Sequence, residues 1–118
     1  MIDLDKKYKP DLVFLPSIHD THQDHQTISN EGFRAFKKRS MLAYELPWNN
    51  LDFKTTFFIE ASEENAQKKI DAISMYESQR HRPYAKEDYI KSLLITRGVQ
   101  IGKQYAEAFD VVRWIIND

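Results

Sequence analysis

Residues 11–16, with the sequence DLVFLP, contain the feature on which the predicted fold depends: four apolar residues in a row, enclosed by Pro10 and Pro16. A short apolar run without polar alternation is typical of a strand that is buried on both faces, as the parallel strands of α/β domains are. We therefore predict a parallel strand here. The polar residues 17–23 that follow must form a loop at the carboxyl end of this strand.

Helical and strand patterns alternate along the rest of the chain. Apolar spacings of three and four predict helices, over residues 24–39, 62–80 and 86–105. Runs rich in aromatic and β-branched residues predict strands, over residues 41–46, 55–61 and 109–116. The resulting order, β-α-β-β-α-α-β, indicates an α/β layered fold. Because a doubly wound sheet has about five or six strands, the chain resembles the back half of such a domain.

The same spacings predict which helical residues face the core. They are His25, Ile28, Gly32 and Phe36 in the first helix, Ala66, Ile70 and Ile73 in the second, and Ile90, Leu94, Ile101 and Tyr105 in the third. Ser62 is a suitable N-cap for the second helix. Gly98 permits close packing against the third, because glycine has no side chain.

The composition excludes several classes of protein. The 17 Lys and Arg residues nearly balance the 18 Asp and Glu residues, so we predict no nucleic-acid partner. The absence of Cys excludes disulfide frameworks and thiolate nucleophiles. No apolar run approaches the ~20 residues of a transmembrane helix, and residues 1–10 are too charged for a signal peptide. We therefore predict a cytoplasmic protein without a transmembrane segment, with a length that suits one domain or a piece of a larger one.

Residues 19–25, HDTHQDH, contain three of the four histidines of the chain. Imidazole is a common metal ligand and a general acid or base near neutral pH. It works best when its second ring nitrogen donates to a carboxylate, which Asp20 and Asp24 are placed to provide. The position after a buried strand favours a functional site, because ligands bind at the carboxyl ends of strands. The simpler interpretation is a polar loop in which Asp24 only caps the next helix.

Several segments of the sequence resemble the PIG-L/LmbE-like zinc-dependent N-deacetylases. Residues 11–16 and 20–25, DLVFLP and DTHQDH, are similar to the second signature of that family. Residues 76–79, YESQ, resemble its Y-x-S-Q patch, and residues 97–109, RGVQIGKQYAEAF, resemble its late R-G-x-x-x-G-x-x-Y-A-E-A-F segment. These segments occur in the family's order and extend over nearly the whole chain.

The resemblance implies a Rossmann-like fold and removal of an acetyl group from an N-acetylglucosamine-type sugar, on a small glycoconjugate or a glycolipid. It implies one Zn²⁺ ion, with His25 among its ligands. It also implies that His22 stays protonated, stabilises the oxyanion and protonates the leaving amine, while Asp24 holds His22. Tyr105 falls in the segment that lines the oxyanion site. Arg97 matches a family position, and we place it among the substrate-binding candidates.

The chain departs from the family in one respect, because it contains no A-H-P-D-D-E motif. This first signature supplies the family's other His ligand, its Asp ligand and its catalytic base. We therefore interpret residues 1–118 as the C-terminal part of a deacetylase domain. Alone, this part is expected to bind Zn²⁺ weakly and to be inactive, because a zinc site needs at least three protein ligands.

Two other functions stay open. One is a non-catalytic half-domain that self-associates as a homo-oligomer or pairs with a separate N-terminal half, because its sheet edge and apolar faces lack a cover. The other is a small metal-binding protein that uses His19, His22 and His25. Trp48, which follows Pro47, could line a sugar pocket, although an aromatic residue in such a position more often packs on the core.

Overall fold

The computed structural model describes residues 1–76 and 81–118. Its helices are α1 (Ile2–Tyr8), α2 (Gln23–Ala35), α3 (Glu63–Ser74) and α4 (Glu87–Gln100), with a 3-10 turn at Pro83–Ala85. Its strands are β1 (Leu12–Pro16), β2 (Ser40–Tyr44), β3 (Phe57–Ala61) and β4 (Tyr105–Arg113). The predicted α/β class is confirmed. α3 ends at Ser74, so the prediction that this helix continues through residues 75 and 76 is wrong. The predicted end at residue 80 and most of the YESQ patch lie outside the described residues.

The four strands form one mixed sheet in the order β1-β2-β4-β3. β1 is parallel to β2, with Leu12 opposite Ser40, and β2 is antiparallel to β4. β1 therefore lies at an edge of the sheet, and Phe14 is 46% exposed. The prediction that this strand is buried on both faces is wrong, because the face that carries Phe14 is partly open to solvent.

The chain divides into two compact units, and the first comprises residues 1–57 and 109–118. The core of this unit is formed where β1, β2 and the end of α2 meet, by Leu15, Phe36 and Met41 together with Val13, Ala35 and Val112. Gly32 allows the close approach of α2 to β1, because a Cβ there would lie 2.7 Å from Leu15 Cδ2. Close packing at Gly32 thus positions the helix directly over the strand.

The inward face of α2 differs from the prediction at one position. Ser29 is buried, whereas Ile28 is 39% exposed. The Ser29 hydroxyl lies 2.7 Å from the carbonyl oxygen of Pro16 and 2.8 Å from that of His25. The physical reason for the difference is that the hydroxyl hydrogen-bonds to the end of β1, which an isoleucine cannot do. This contact ties the start of α2 to the carboxyl end of the strand.

The second unit comprises residues 58–108. Its apolar core joins α3 and α4 with the start of β4, through Ala66, Ile70, Ile90, Leu94 and Tyr105. The prediction of Ser62 as the N-cap of α3 is confirmed, because its hydroxyl accepts a hydrogen bond of 3.1 Å from the Asn65 N–H.

α4 ends at Gln100, so the prediction of a helix to residue 105 is wrong. The Lys103 N–H donates to the Gly98 carbonyl and the Gly102 N–H donates to the Val99 carbonyl, which is the pattern of a Schellman motif. Gly102 adopts a φ of 70°, the left-handed conformation that this motif requires. The helix therefore stops before Gly102, and the chain enters β4.

Substitution of Gly98 tests the close packing predicted for α4. A Cβ at this position would lie 2.6 Å from the Lys103 carbonyl oxygen and 2.7 Å from that of Gln104. Because backbone atoms cannot move aside as a side chain can, Gly98→Ala is expected to lower the free energy of unfolding by about 1–3 kcal/mol. Gly32→Ala is the matched helical control and is expected to cost less, because Leu15 can change rotamer. Denaturant unfolding that finds Gly98→Ala as stable as the wild type would contradict this account of the helix end.

Candidate functional site

The loop that follows β1 at its carboxyl end, as predicted, carries His19 and His22 and is called the histidine loop below. It leads into α2, whose N-cap is His22. The Nδ1 atom of His22 accepts a hydrogen bond of 3.2 Å from the backbone N–H of Asp24. His25 then lies in the first turn of α2, three residues after the cap. The helix start therefore sets the positions of both imidazoles.

The carboxylate of Asp20 connects the two histidines of the site through its contacts. Asp20 is 1% exposed, and its side chain is completely buried. One carboxylate oxygen accepts the backbone N–H of His22 at 2.7 Å, and the other lies 2.8 Å from Nδ1 of His25. A buried carboxylate is stable only when its oxygens have partners, and both oxygens of Asp20 have one.

The rings of His22 and His25 stack on each other, with centroids 4.5 Å apart and planes inclined by 27°. Their Nδ1 atoms have opposite roles. Nδ1 of His22 accepts a hydrogen bond, so its proton lies on Nε2. Nδ1 of His25 faces a carboxylate, so that nitrogen carries the proton and Nε2 keeps a lone pair. The pair thus combines one hydrogen-bond donor and one potential ligand atom.

The sequence resemblance assigns Asp24 as the acid that holds a protonated His22, and the contacts here differ. Asp24 supplies its backbone N–H to His22, and among the described residues its carboxylate bonds to neither imidazole. The carboxylate that holds an imidazole is that of Asp20, on His25. The sequence pattern indicates Asp20 as a possible support for an imidazole, although Asp20 is not among the predicted site residues. A signal for this contact is present in the sequence: His25 follows Asp20 by five residues, and the predicted helix starts between them.

A second loop, which follows β2, is hydrogen-bonded to the histidine loop. Asp20 and Asn50 form an isolated antiparallel bridge. The Thr21 N–H donates to the Asn49 carbonyl at 2.9 Å, and the Leu51 N–H donates to the His19 carbonyl at 3.1 Å. Trp48 precedes this paired segment and is 42% exposed. The structure therefore places Trp48 on the loop that adjoins the histidines.

Arg97 and Tyr105 belong to the second unit. Arg97 lies in the last turn of α4, where it donates a hydrogen bond of 2.9 Å to Gln100. Tyr105 is 3% exposed within the apolar core of that unit. The Tyr105 ring therefore has a packing role in this unit, and its part in the oxyanion site stays a prediction.

One atom of the site fits a zinc ion. The second nitrogen of His25, Nε2, keeps its lone pair while Nδ1 is held by Asp20, as in the carboxylate–histidine–zinc arrangement of many zinc proteins. Within residues 1–76 and 81–118, no group of three or more His, Cys, Asp or Glu side chains is arranged to hold a metal ion. The described residues therefore fit one position of a zinc site.

No described helix is long and apolar enough to cross a membrane.

The charge of Asp20 also acts on Tyr44, the last residue of β2. Burial raises the pKa of the Tyr44 hydroxyl above its ordinary value of 10.0, and the negative charge of Asp20 raises it further. Both effects favour the neutral phenol, because an ionised one would lose hydration and be repelled by the carboxylate. The folded chain thus binds this proton more tightly than the unfolded chain.

Alkaline titration of Tyr44 tests the charge of Asp20. Asp20→Asn removes the charge but not the burial, so the pKa of Tyr44 is expected to fall while staying above 10.0. The pKa of this tyrosine is ~10 in the unfolded chain and higher in the folded chain. As the pH rises above ~10, the unfolded chain loses the proton first, so the free energy of unfolding falls. Tyrosinate absorbance, as the difference between wild type and Tyr44→Phe, measures this pKa, and Tyr8→Phe serves as the exposed control. An unchanged Tyr44 titration in Asp20→Asn would contradict the assignment.

Comparison with known proteins gives a fold relative but no family. No family model matches the sequence, and no curated protein matches it at a significant level. Among solved structures, the chain is similar to the crystal structure of the conserved protein TT1542 from Thermus thermophilus, with a TM-score of 0.80 and 20% sequence identity. The match covers 99% of this chain and 58% of that protein, so the chain spans little more than half of its relative's length. At this identity the likeness shows a shared α/β fold.

Proposed function

We propose that the chain supplies the C-terminal part of a PIG-L/LmbE-like zinc-dependent N-deacetylase with a Rossmann-like fold. The substrate would be an N-acetylglucosamine-type amino sugar, from which water releases acetate and leaves a free amine. The observation that carries the proposal is the contact of the buried Asp20 carboxylate with His25, beside a stacked His22, at the carboxyl end of β1. The reaction is proposed from the sequence segments that resemble this family. The contact with Asp20 gives His25 the hydrogen-bonding arrangement of a zinc ligand.

The residues at the site would divide the chemistry between them. His25 would hold Zn²⁺ through Nε2, and the metal, when bound, would supply a Lewis acid for the amide carbonyl. The Nε2–H of His22 would donate a hydrogen bond to the oxygen that becomes negative, and as an imidazolium His22 would give a proton to the nitrogen that leaves. Trp48 would stack against the C–H face of the sugar ring. Arg97 stays a predicted substrate-binding residue.

The remaining zinc ligands and the catalytic base would come from outside the described residues. Within those residues no group of three candidate ligands occurs, and His25 would supply one ligand. In the family that the sequence resembles, a first signature supplies these groups. The proposal therefore includes a separate N-terminal half as the partner that completes the site.

Metal binding by histidine variants tests the role of His25. We expect the 118-residue chain to bind Zn²⁺ weakly and to release no acetate from an N-acetylglucosaminyl substrate, because one ligand is not enough for a stable site. His25→Ala should abolish the residual binding in a calorimetric titration. His81→Ala, which removes an exposed histidine outside the loop, is the matched control.

The results that differ from this expectation distinguish between the candidate functions. Stoichiometric zinc with acetate release would overturn the view that the ligand set is incomplete. Residual binding that survives in His25→Ala would overturn the proposed function. Loss of binding in His19→Ala would instead favour a small metal-binding protein that uses all three histidines.

The exposed edge of the sheet favours a second candidate, a non-catalytic half-domain that self-associates. β1 is an edge strand with one parallel neighbour, β2, and the Phe14 side chain is exposed on it. Edge strands present unpaired N–H and C=O groups, on which another strand can add. A second copy of this chain that pairs along β1 would satisfy these groups.

Sedimentation tests this second candidate. We expect the wild-type chain to form a dimer at micromolar concentration and Phe14→Lys to be monomeric, because a charge on an edge strand opposes strand addition. Val99→Lys, at an exposed position of α4, is the control and should leave the dimer intact. Thermal unfolding of each variant confirms that it is folded. A well-folded wild-type monomer would exclude self-association.

A further inference from the structure

We propose that Asp20 is a positioning residue that sets the tautomer of His25 and thereby prepares Nε2 for a ligand. The use of that atom by zinc rests on the proposed function, whereas the tautomer itself follows from the contacts of Asp20. Neither the composition nor the sequence resemblance assigns this role to Asp20.

The hydrogen-bonding capacity of Asp20 leaves one arrangement of protons. An ionised carboxylate accepts hydrogen bonds and donates none. Its first oxygen is occupied by the His22 N–H at 2.7 Å, and its second lies 2.8 Å from Nδ1 of His25. Since the side chain is completely buried, water does not replace either partner. The proton of a neutral His25 must therefore lie on Nδ1.

The surroundings hold Asp20 in place without help from His25. The Asp20 N–H donates to the Ser17 carbonyl at 3.1 Å, and the backbone of Asp20 pairs with Asn50. The Ser17 hydroxyl is itself buried and accepts the His19 N–H at 3.1 Å. The acid is thus a fixed element of the loop, to which the imidazole adapts.

The backbone of His25 is held independently of Asp20. Its carbonyl lies 2.8 Å from the Ser29 hydroxyl, which also contacts the end of β1. A change at Asp20 that keeps the shape of the side chain should therefore alter the protons on His25 more than the position of the ring. This separation makes the role of Asp20 testable.

Asp20→Asn is the informative variant. Its amide oxygen can still accept the His22 N–H, which leaves the amide NH₂ group facing Nδ1 of His25. A donor at that place requires a lone pair on Nδ1, so the proton moves to Nε2. The variant thus retains the loop and reverses the tautomer. Asp24→Asn makes the same chemical change on a carboxylate that bonds to neither imidazole, so it is the matched control for the tautomer.

Nuclear magnetic resonance of the metal-free, ¹⁵N-labelled chain at about pH 8, above the ordinary titration range of imidazole, reads the tautomer directly. The His25 ring signals are assigned by their loss in His25→Ala. We expect a proton on Nδ1 in the wild type and in Asp24→Asn, and on Nε2 in Asp20→Asn. A wild-type His25 with its proton on Nε2 overturns the inference, as does a tautomer that Asp20→Asn leaves unchanged. The wild-type spectrum alone decides the point if Asp20→Asn does not fold.

A zinc titration of the same samples separates this inference from the proposed function. Loss of a carboxylate behind a ligating histidine lowers metal affinity about 10–100-fold, and we expect a loss of this size in Asp20→Asn. If the wild type shows the Nδ1–H tautomer but His25 takes no part in zinc binding, the proposed function fails and the positioning role stands. If the metal-free wild type has its His25 proton on Nε2 and zinc nevertheless binds through His25, the positioning role fails and the proposed function stands.

Discussion

A buried carboxylate with a hydrogen-bonding partner on each oxygen is the constraint on which the candidate site depends. Removing a carboxylate from water is costly unless the protein replaces the lost hydrogen bonds. Asp20 obtains them from the backbone of His22 and from the ring of His25. Any conformation that separates these groups leaves a buried charge without a partner. The start of α2, the stacking of the two imidazoles and the position of the loop are therefore one coupled arrangement.

Small residues make this arrangement possible, because they let α2 approach the end of β1. Gly32 lies against Leu15 so closely that a Cβ would overlap that side chain. One turn earlier, the Ser29 hydroxyl lies within hydrogen-bonding distance of two carbonyl oxygens, one at the end of β1 and one at the start of the helix. These two contacts attach the helix to the strand, and His25 lies one turn before Ser29, in the first turn of α2. The chemistry of the loop and the packing of the core depend on the same helix–strand contact.

The two stacked imidazoles are not equivalent, and this bears on the proposed deacetylase chemistry. His25 is held by an acid that keeps a lone pair on the distal nitrogen, as a metal ligand requires. His22 uses its proximal nitrogen to cap α2, which leaves a proton on the distal one. One ring is thus suited to a cation and the other to an oxyanion. The second unit makes a different contribution, because Tyr105 packs in its apolar core.

The sequence alone determined the α/β class, the order of the strands and helices from β1 onward, and the location of the histidine loop after β1. Local signals were enough for these features, since periodicity, the Ser62 cap and the close packing at Gly98 depend on neighbours in the chain. Only the tertiary structure decided that β1 is an edge strand, that Ser29 rather than Ile28 faces inward, and that α4 ends before Tyr105. It also decided that Asp20, not Asp24, holds an imidazole. Two carboxylates near the same histidines are equivalent in a sequence, and they become different only when folding buries one and leaves the other in water.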